Sequence, residues 1–326
     1  MAATLQPHPP LRPHSIHSYS GLAKPPHLSR LESVTHKTGH VEPISIEVDD
    51  AHGGFAPGFL HLPPDIFTAG SGGTGTPPPP PPPSASRGAG TGSTATESQR
   101  PAAALPPHHH RTAAILLSGA GGGVTGPSSI YLSLACKLAT LGRGIPTLRL
   151  DYRFPARAAP CVADAKAAMA YLRDLYGLDR FVLVGWSFGS AVVFTAAAED
   201  ARVVGCAAVA SQTAEAEGIA RLPPRPVLLL HGSGDNTLGV GCSQRLWHMY
   251  GNGDRMLQVF EGDNHSLSAN AERAEEMLCE FVARCAGVRI DAQERRDVVG
   301  VELVDDGERH DLMERGGDLR APERED

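Results

Sequence analysis

No acidic residue stands before Glu32, no pair of cysteines is spaced C-x-x-C, and no apolar stretch runs unbroken for the length of a bilayer. Each absence removes a class of protein. The acid-free start leaves Arg12, Lys24 and Arg30 as its only formal charges, which is the bias of an organelle transit peptide, but its many prolines break the amphipathic helix such a peptide needs. Residues 1–40 also hold six of the fifteen histidines and almost no periodic apolar pattern, so they are expected to form a disordered arm. A cytoplasmic location is expected, with organelle targeting by residues 1–31 as the alternative.

The six cysteines, Cys136, Cys161, Cys206, Cys242, Cys279 and Cys285, lie at scattered spacings, most of them inside apolar runs. That reads as buried free thiols rather than a disulfide or metal framework. The longest apolar reach, 191–210, is interrupted by Glu199, Asp200 and Arg202, so neither a secretory nor a spanning segment is expected. A basic footprint is missing too. The whole net charge of −7 comes from residues 291–326, where thirteen Asp and Glu face six Arg. Nucleic acid is therefore not an expected partner, and the acidic tail, 288–326, is expected to be disordered and to aid solubility. Inside it, VVGVELV is the one segment with strand character.

What is present is strongly segmented. PISIEVDD, a glycine turn at Gly53 and Gly54, and GFLHLP predict two short strands joined as a hairpin within residues 41–66. Residues 67–111 follow as a low-complexity linker with seven consecutive prolines and the triplet His108, His109 and His110, which reads as repeat slippage before it reads as a metal site. From 112 to 287, short β-type runs alternate with stretches of helical period and glycine stops: AILLS, a helix over 128–141, IPTLRLDY, a helix over 160–177, FVLVG, VVGCAAVA, PVLLLHG, RMLQVF and a helix over 270–285. Such alternation predicts an α/β core with a mostly parallel sheet covered by helices on both faces.

Chemistry enters at FVLVGWSFGSAVVF, residues 181–194. A buried strand ends at Gly185 and a helix resumes after Ser187, so the serine is lifted out of the packing on a turn too tight for side chains two residues away, which Gly185 and Gly189 satisfy. A hydroxyl needs a base, and the base an orienting carboxylate. PVLLLHGSGD exposes Asp235 past one strand and RMLQVFEGDNH exposes His265 past the next, both where parallel sheets collect their active sites. Asp263 is the substitute acid and His231 the rival base, expected instead to satisfy backbone groups; His248 is expected to be structural. LLSGAGGGVTGP, after the first central strand, leaves the backbone bare for an oxyanion donor, assigned to Ala120, with Phe188 giving the other. The same loop could cradle a phosphate, but it lacks G-K-[ST], and Asp151, the one acid near dinucleotide register, reads as a turn residue.

Together, G-W-S-F-G around Ser187, Asp235 and His265 resemble the α/β-hydrolase superfamily, in particular its small, capless, dienelactone-hydrolase-like serine esterases. The resemblance implies an eight-stranded sheet with its second strand antiparallel, and Ser187, Asp235 and His265 as nucleophile, acid and base. Two departures stand out. Dienelactone hydrolases proper carry cysteine where this chain has Ser187, and many relatives begin the oxyanion loop with His-Gly where this one has Ser118-Gly119. With only 211–225 between the strands that usually admit a cap, the site should be open. The expected activity is hydrolysis of an ester-type bond in a small-molecule acyl substrate, with no cofactor or metal and no membrane insertion called for. The alternatives are a thioesterase, peptidase or acyltransferase with the same triad, or a non-catalytic ligand- or partner-binding protein that keeps the fold.

Because an antiparallel second strand puts both ends of the linker at the edge away from the catalytic residues, it should act as a tether and not a lid. Proteolytic cleavage confined to 70–108 is expected to leave activity on small esters intact, and an abolished rate after such a cut would contradict this.

Overall fold

The hydrophobic runs after Thr112 become strands and the periodic stretches between them become helices. In this computed structural model residues 19, 21–37, 39–64, 111–251 and 253–320 are described, so most of the linker, including His108, His109 and His110, lies outside. The elements are α1 (Ser29–Thr35), β1 (His40–Glu47), β2 (Phe55–Leu62), β3 (Thr112–Leu117), α2 (Ile130–Thr140), β4 (Thr147–Leu150), α3 (Ala158–Tyr176) and β5 (Arg180–Trp186). They continue with α4 (Phe188–Glu199), β6 (Val203–Val209), β7 (Val227–Gly232), α5 (Gly241–Met249), β8 (Arg255–Phe260), α6 (Ala271–Ala286), α7 (Ala292–Glu294) and α8 (Asp306–Gly316).

One eight-stranded sheet runs in the order β1-β2-β4-β3-β5-β6-β7-β8. The predicted hairpin is there, in register from His40 opposite Leu62 to Glu47 opposite Phe55, and β2 is antiparallel to β4 as well. All other pairings are parallel. β2 therefore ends, and β3 begins, at the edge where the parallel strands start: His61 sits opposite Thr147, and Thr112 opposite Arg180.

Alternate side chains of the central strands feed two cores, as the two-residue period of a strand requires. Ala114 and Leu116 face the layer of α2 and α6, while Ala113, Ile115 and Leu117 face that of α3, α4 and α5. Glycine ends α3 and α6 in left-handed conformation at Gly177 and Gly287, the first of them a stop read from the sequence. Among the described residues no helix is long and apolar enough to cross a membrane.

Both ends of the chain differ from expectation. In the region read as a disordered arm, Tyr19, Leu22, Leu28 and Leu31 are buried against the α2 and α6 core. In the region read as a disordered tail, Val298, Val299, Leu303, Val304, Leu312 and Met313 are buried in the same core. VVGVELV forms no strand; its first residues close a π-helical turn, Arg295–Val299. The tail is tied down by polar links as well: the buried Lys137 pairs with Glu275 at 2.9 Å and donates to the Val299 carbonyl, and capping boxes at Asp291 and Asp305 start α7 and α8. Apolar residues are too sparse in either segment to show a helical stripe, yet each finds a partner on a face already built by α2 and α6.

Leu312 retains 3 % of its surface. Leu312→Ala is expected to cost about 2–4 kcal/mol in urea denaturation, the range for truncating a buried leucine. A change within about 0.5 kcal/mol, the usual size of a surface effect, would mean that α8 is an unimportant appendage.

Candidate active site

Ser187 is the hinge between β5 and α4, at φ 51° and ψ −119°, in the positive-φ region that costs a residue with a side chain of the order of 1–3 kcal/mol. The two glycines make room for it. A Cβ on Gly185 would lie 2.5 Å from the Gly189 carbonyl, and one on Gly189 would lie 2.5 Å from the carbonyl oxygens of both Leu117 and Ser118. The same close approach seats the start of the loop after β3 directly against the turn. Phe188 opens α4, so its N–H belongs to the unpaired first turn of that helix.

Asp235 follows β7 and His265 follows β8. His265 Nδ1 lies 2.7 Å from Asp235 Oδ2. Asp235 Oδ1 accepts from the N–H groups of Thr237 and Leu238, each at 2.8 Å, which fixes the carboxylate on its other side. Burial opposes its charge, but hydrogen bonds from His231, His265 and the Leu238 N–H outweigh it and hold the carboxyl well below the usual range. His265 is tied to the serine turn through Trp186, whose Nε1 donates to the His265 carbonyl at 3.1 Å and whose ring centroid is 5.6 Å away.

The rivals settle elsewhere. His231 is fully buried, with Nδ1 2.7 Å from Ser243 Oγ and Nε2 2.7 Å from the Leu238 carbonyl, as backbone satisfaction predicted. Its Nε2 is also 3.2 Å from Asp235 Oδ2, a second hold on the acid that the sequence did not suggest. Asp263 accepts from the Asn264 and Ala269 N–H groups and from Asn270 Nδ2, organising its own turn. His248 stacks edge-on against Trp247 on α5.

The glycine loop after β3 is not a vacant phosphate cradle, because two carboxylates of the chain itself fill it. Asp151 Oδ1 accepts the Gly123 N–H at 2.8 Å and Oδ2 accepts the Tyr19 hydroxyl, so Asp151 does more than shape its own turn. Asp318 accepts from the N–H groups of Val124, Thr125 and Gly126 and from the hydroxyls of Thr125 and Ser118. The backbone of Arg320 passes over the loop, with its carbonyl oxygen 2.5 Å from where a Gly121 Cβ would be. Gly121 to Gly123 are buried beneath this segment, and Ser187 keeps 4 % of its surface. The segment over the glycine loop is the one that the charge pattern had assigned to solvent.

All six cysteines are free. Burial pushes the thiols of Cys206, Cys279 and Cys285 up to about 12 and that of Cys136 to about 11, which suits packing and not nucleophilic chemistry. Among the described residues, Glu272, Glu302 and Asp306 form an exposed carboxylate trio with no other sign of a ligand.

A family model described as alpha/beta hydrolase fold matches residues 88–241. No curated protein sequence matches the chain. Among solved structures the chain is similar to a protein of unknown function from Agrobacterium tumefaciens described as an alpha/beta hydrolase candidate. The identity is 15 %, with a TM-score of 0.53 over 76 % of this chain and 97 % of that one. It is similar to the dienelactone hydrolase of Anabaena variabilis at 15 % identity and TM-score 0.51, covering 76 % of this chain and 98 % of that one. It is also similar to a puromycin hydrolase, at 14 % identity and TM-score 0.52, over 77 % of this chain and 40 % of that one. At such identities the likeness is one of fold.

A carboxyl held low when folded contributes stability that is present above its unfolded pKa and is lost as pH falls toward its folded one. Asp235→Asn should therefore be less stable than the parent at pH 7, and the gap should narrow only below about pH 4, where unfolded aspartate titrates. Denaturant titrations across pH 2–8 would check this; a gap independent of pH would mean that the charge of Asp235 is not what the native state gains from.

Proposed function

This chain has the α/β-hydrolase fold, and from that premise we propose that it is a serine hydrolase cleaving an ester-type acyl bond through Ser187, His265 and Asp235. The observation that carries the reading is the His265–Asp235 pair at 2.7 Å, at the same sheet edge as a serine held at φ 51° between two obligatory glycines. A serine that only capped α4 would need neither the strained backbone nor the glycines.

In this reading His265 takes the proton of Ser187 as its oxygen attacks the acyl carbonyl. Asp235, accepting from Nδ1, fixes the tautomer that leaves Nε2 as the base and stabilises the imidazolium that forms. The developing oxyanion is held by the N–H groups of Phe188 and Ala120. His265 then returns the proton to the leaving alcohol, and water activated by the same imidazole attacks the acyl-enzyme, releasing the acid and restoring the serine. An ester of modest size is the favoured substrate, since only residues 211–225 separate the strands that usually admit a cap.

The direct test is reaction with a fluorophosphonate probe alongside hydrolysis of a small activated ester. Ser187→Ala should lose labelling and lower kcat by roughly 10⁴-fold or more. Labelling that survives in this variant would overturn the assignment.

A further inference from the structure

The loop that follows β3, residues 118–126, contains Gly119, Gly121, Gly122, Gly123 and Gly126, and three of its residues, Gly122, Gly123 and Gly126, have positive φ, as do the adjoining Ser128 and Ser129. A segment of this composition has many backbone conformations of similar energy, so something outside it must select one. Five donors of the loop converge on a single side chain. Asp318 Oδ1 receives Ser118 Oγ at 2.5 Å and the Gly126 N–H at 2.8 Å; Oδ2 receives the Val124 and Thr125 N–H groups at 3.1 and 2.9 Å and Thr125 Oγ1 at 2.7 Å. Asp318 has no exposed surface, and among the described residues it forms no ion pair. An unpaired buried carboxylate is costly unless hydrogen bonds to the charged form offset the lost hydration, and here every compensating donor belongs to the loop.

The carboxylate is itself positioned by the C-terminal segment. The Asp318 N–H bonds the Met313 carbonyl, the Val124 N–H also reaches the Gly316 carbonyl, and Arg309 Nη1 and the Arg309 carbonyl engage Ser128 O and Ser129 Oγ. On the other side of the loop, Arg149 donates at once to the Val124 carbonyl and to the Leu22 and Ala23 carbonyls of the N-terminal segment. Tyr19 bridges Asp151 and Arg320, joining the two termini over the loop.

We propose that Asp318 is a positioning residue for hydrolysis: by gathering the donors of the 118–126 loop it sets the conformation in which Ala120 presents its N–H to the oxyanion. The proposal deepens the serine-hydrolase reading and rests on it. Asp318 touches no reacting atom; it acts through the loop, and the acidic tail is thereby part of the active-site scaffold.

The test uses the full chain and compares Asp318→Asn with the parent and with Leu172→Ala, which loosens α3 in the opposite layer by packing alone. A misplaced oxyanion donor lowers turnover without much effect on ground-state binding, so Asp318→Asn should cut kcat on a small neutral ester by about 100-fold while KM stays within about threefold. Amide hydrogen exchange across 118–126 should speed up in that variant, and Leu172→Ala, measured well below its melting temperature, should keep kcat within about threefold. If Asp318→Asn does not fold, Thr125→Val removes one hydroxyl donor in a similar volume and should lower kcat by several-fold, on the order of one lost hydrogen bond. A folded Asp318→Asn or, failing that, Thr125→Val with kcat unchanged overturns the proposal while Ser187-dependent hydrolysis still stands. Hydrolysis that persists in Ser187→Ala overturns the parent reading, and this one with it.

Discussion

The turn at Ser187 constrains everything built around it. Bending the chain from β5 into α4 within one residue requires a positive φ at the serine and leaves no room for side chains at Gly185 or Gly189. Such strain persists only where the surroundings over-determine it. Here they do: Ser187 N–H bonds the Val209 carbonyl of the neighbouring strand, Gly185 is paired in the sheet with both Leu117 and Ala208, and α4 packs its apolar residues into a closed core. The energy stored in one residue is thus set against the packing of three strands and a helix. Because Gly189 sits against the carbonyls of Leu117 and Ser118, the turn also decides where the next loop begins.

The site handles negative charge in two ways. Asp235 has two histidines and two backbone donors as partners, and its carboxyl is held low. Among the described residues Asp318 has donors only from the loop it organises, and burial pushes its carboxyl up to about 6 despite them. The first environment favours the charged carboxylate. The second holds the charge only as long as the loop keeps its shape, which makes the geometry of the loop and the ionisation of Asp318 mutually dependent.

Much of this was legible in the residues. The strand–turn–helix at Ser187 shows itself because strand and helix have different apolar periods and the two glycines mark the change between them. Asp235 and His265 are found because each follows a short apolar run whose end must lie at the same edge of a parallel sheet. Tyr19, α8 and Asp318 were not legible, for physical reasons. The C-terminal segment mixes thirteen acids with few apolar residues, and Leu312 and Met313 are buried not by an amphipathic stripe of their own but by a surface that α2 and α6 had already formed. The partners of Asp318 are mostly backbone N–H groups, which every sequence has and none displays. Arg149 is enclosed in β4 with no carboxylate bonded to it among the described residues, and nothing in the sequence of that strand displays its carbonyl acceptors.

A glycine-rich loop beside a nucleophile faces opposing demands. Bare backbone lets an N–H approach the reacting carbonyl closely, but the same lack of side chains removes the packing that would hold it there. Many solutions would anchor the loop through residues of its own. In this chain Ser118 and Thr125 contribute hydroxyls, and the remaining selection is delegated to the two ends of the polypeptide, Leu22 and Ala23 through Arg149 and the C-terminal helix through Asp318. Transition-state stabilisation depends on donors that need no reorganisation at the moment of reaction. A loop this rich in glycine reaches that condition only when its alternatives are removed from outside, which in the proposed hydrolase falls to segments remote from Ser187 in sequence.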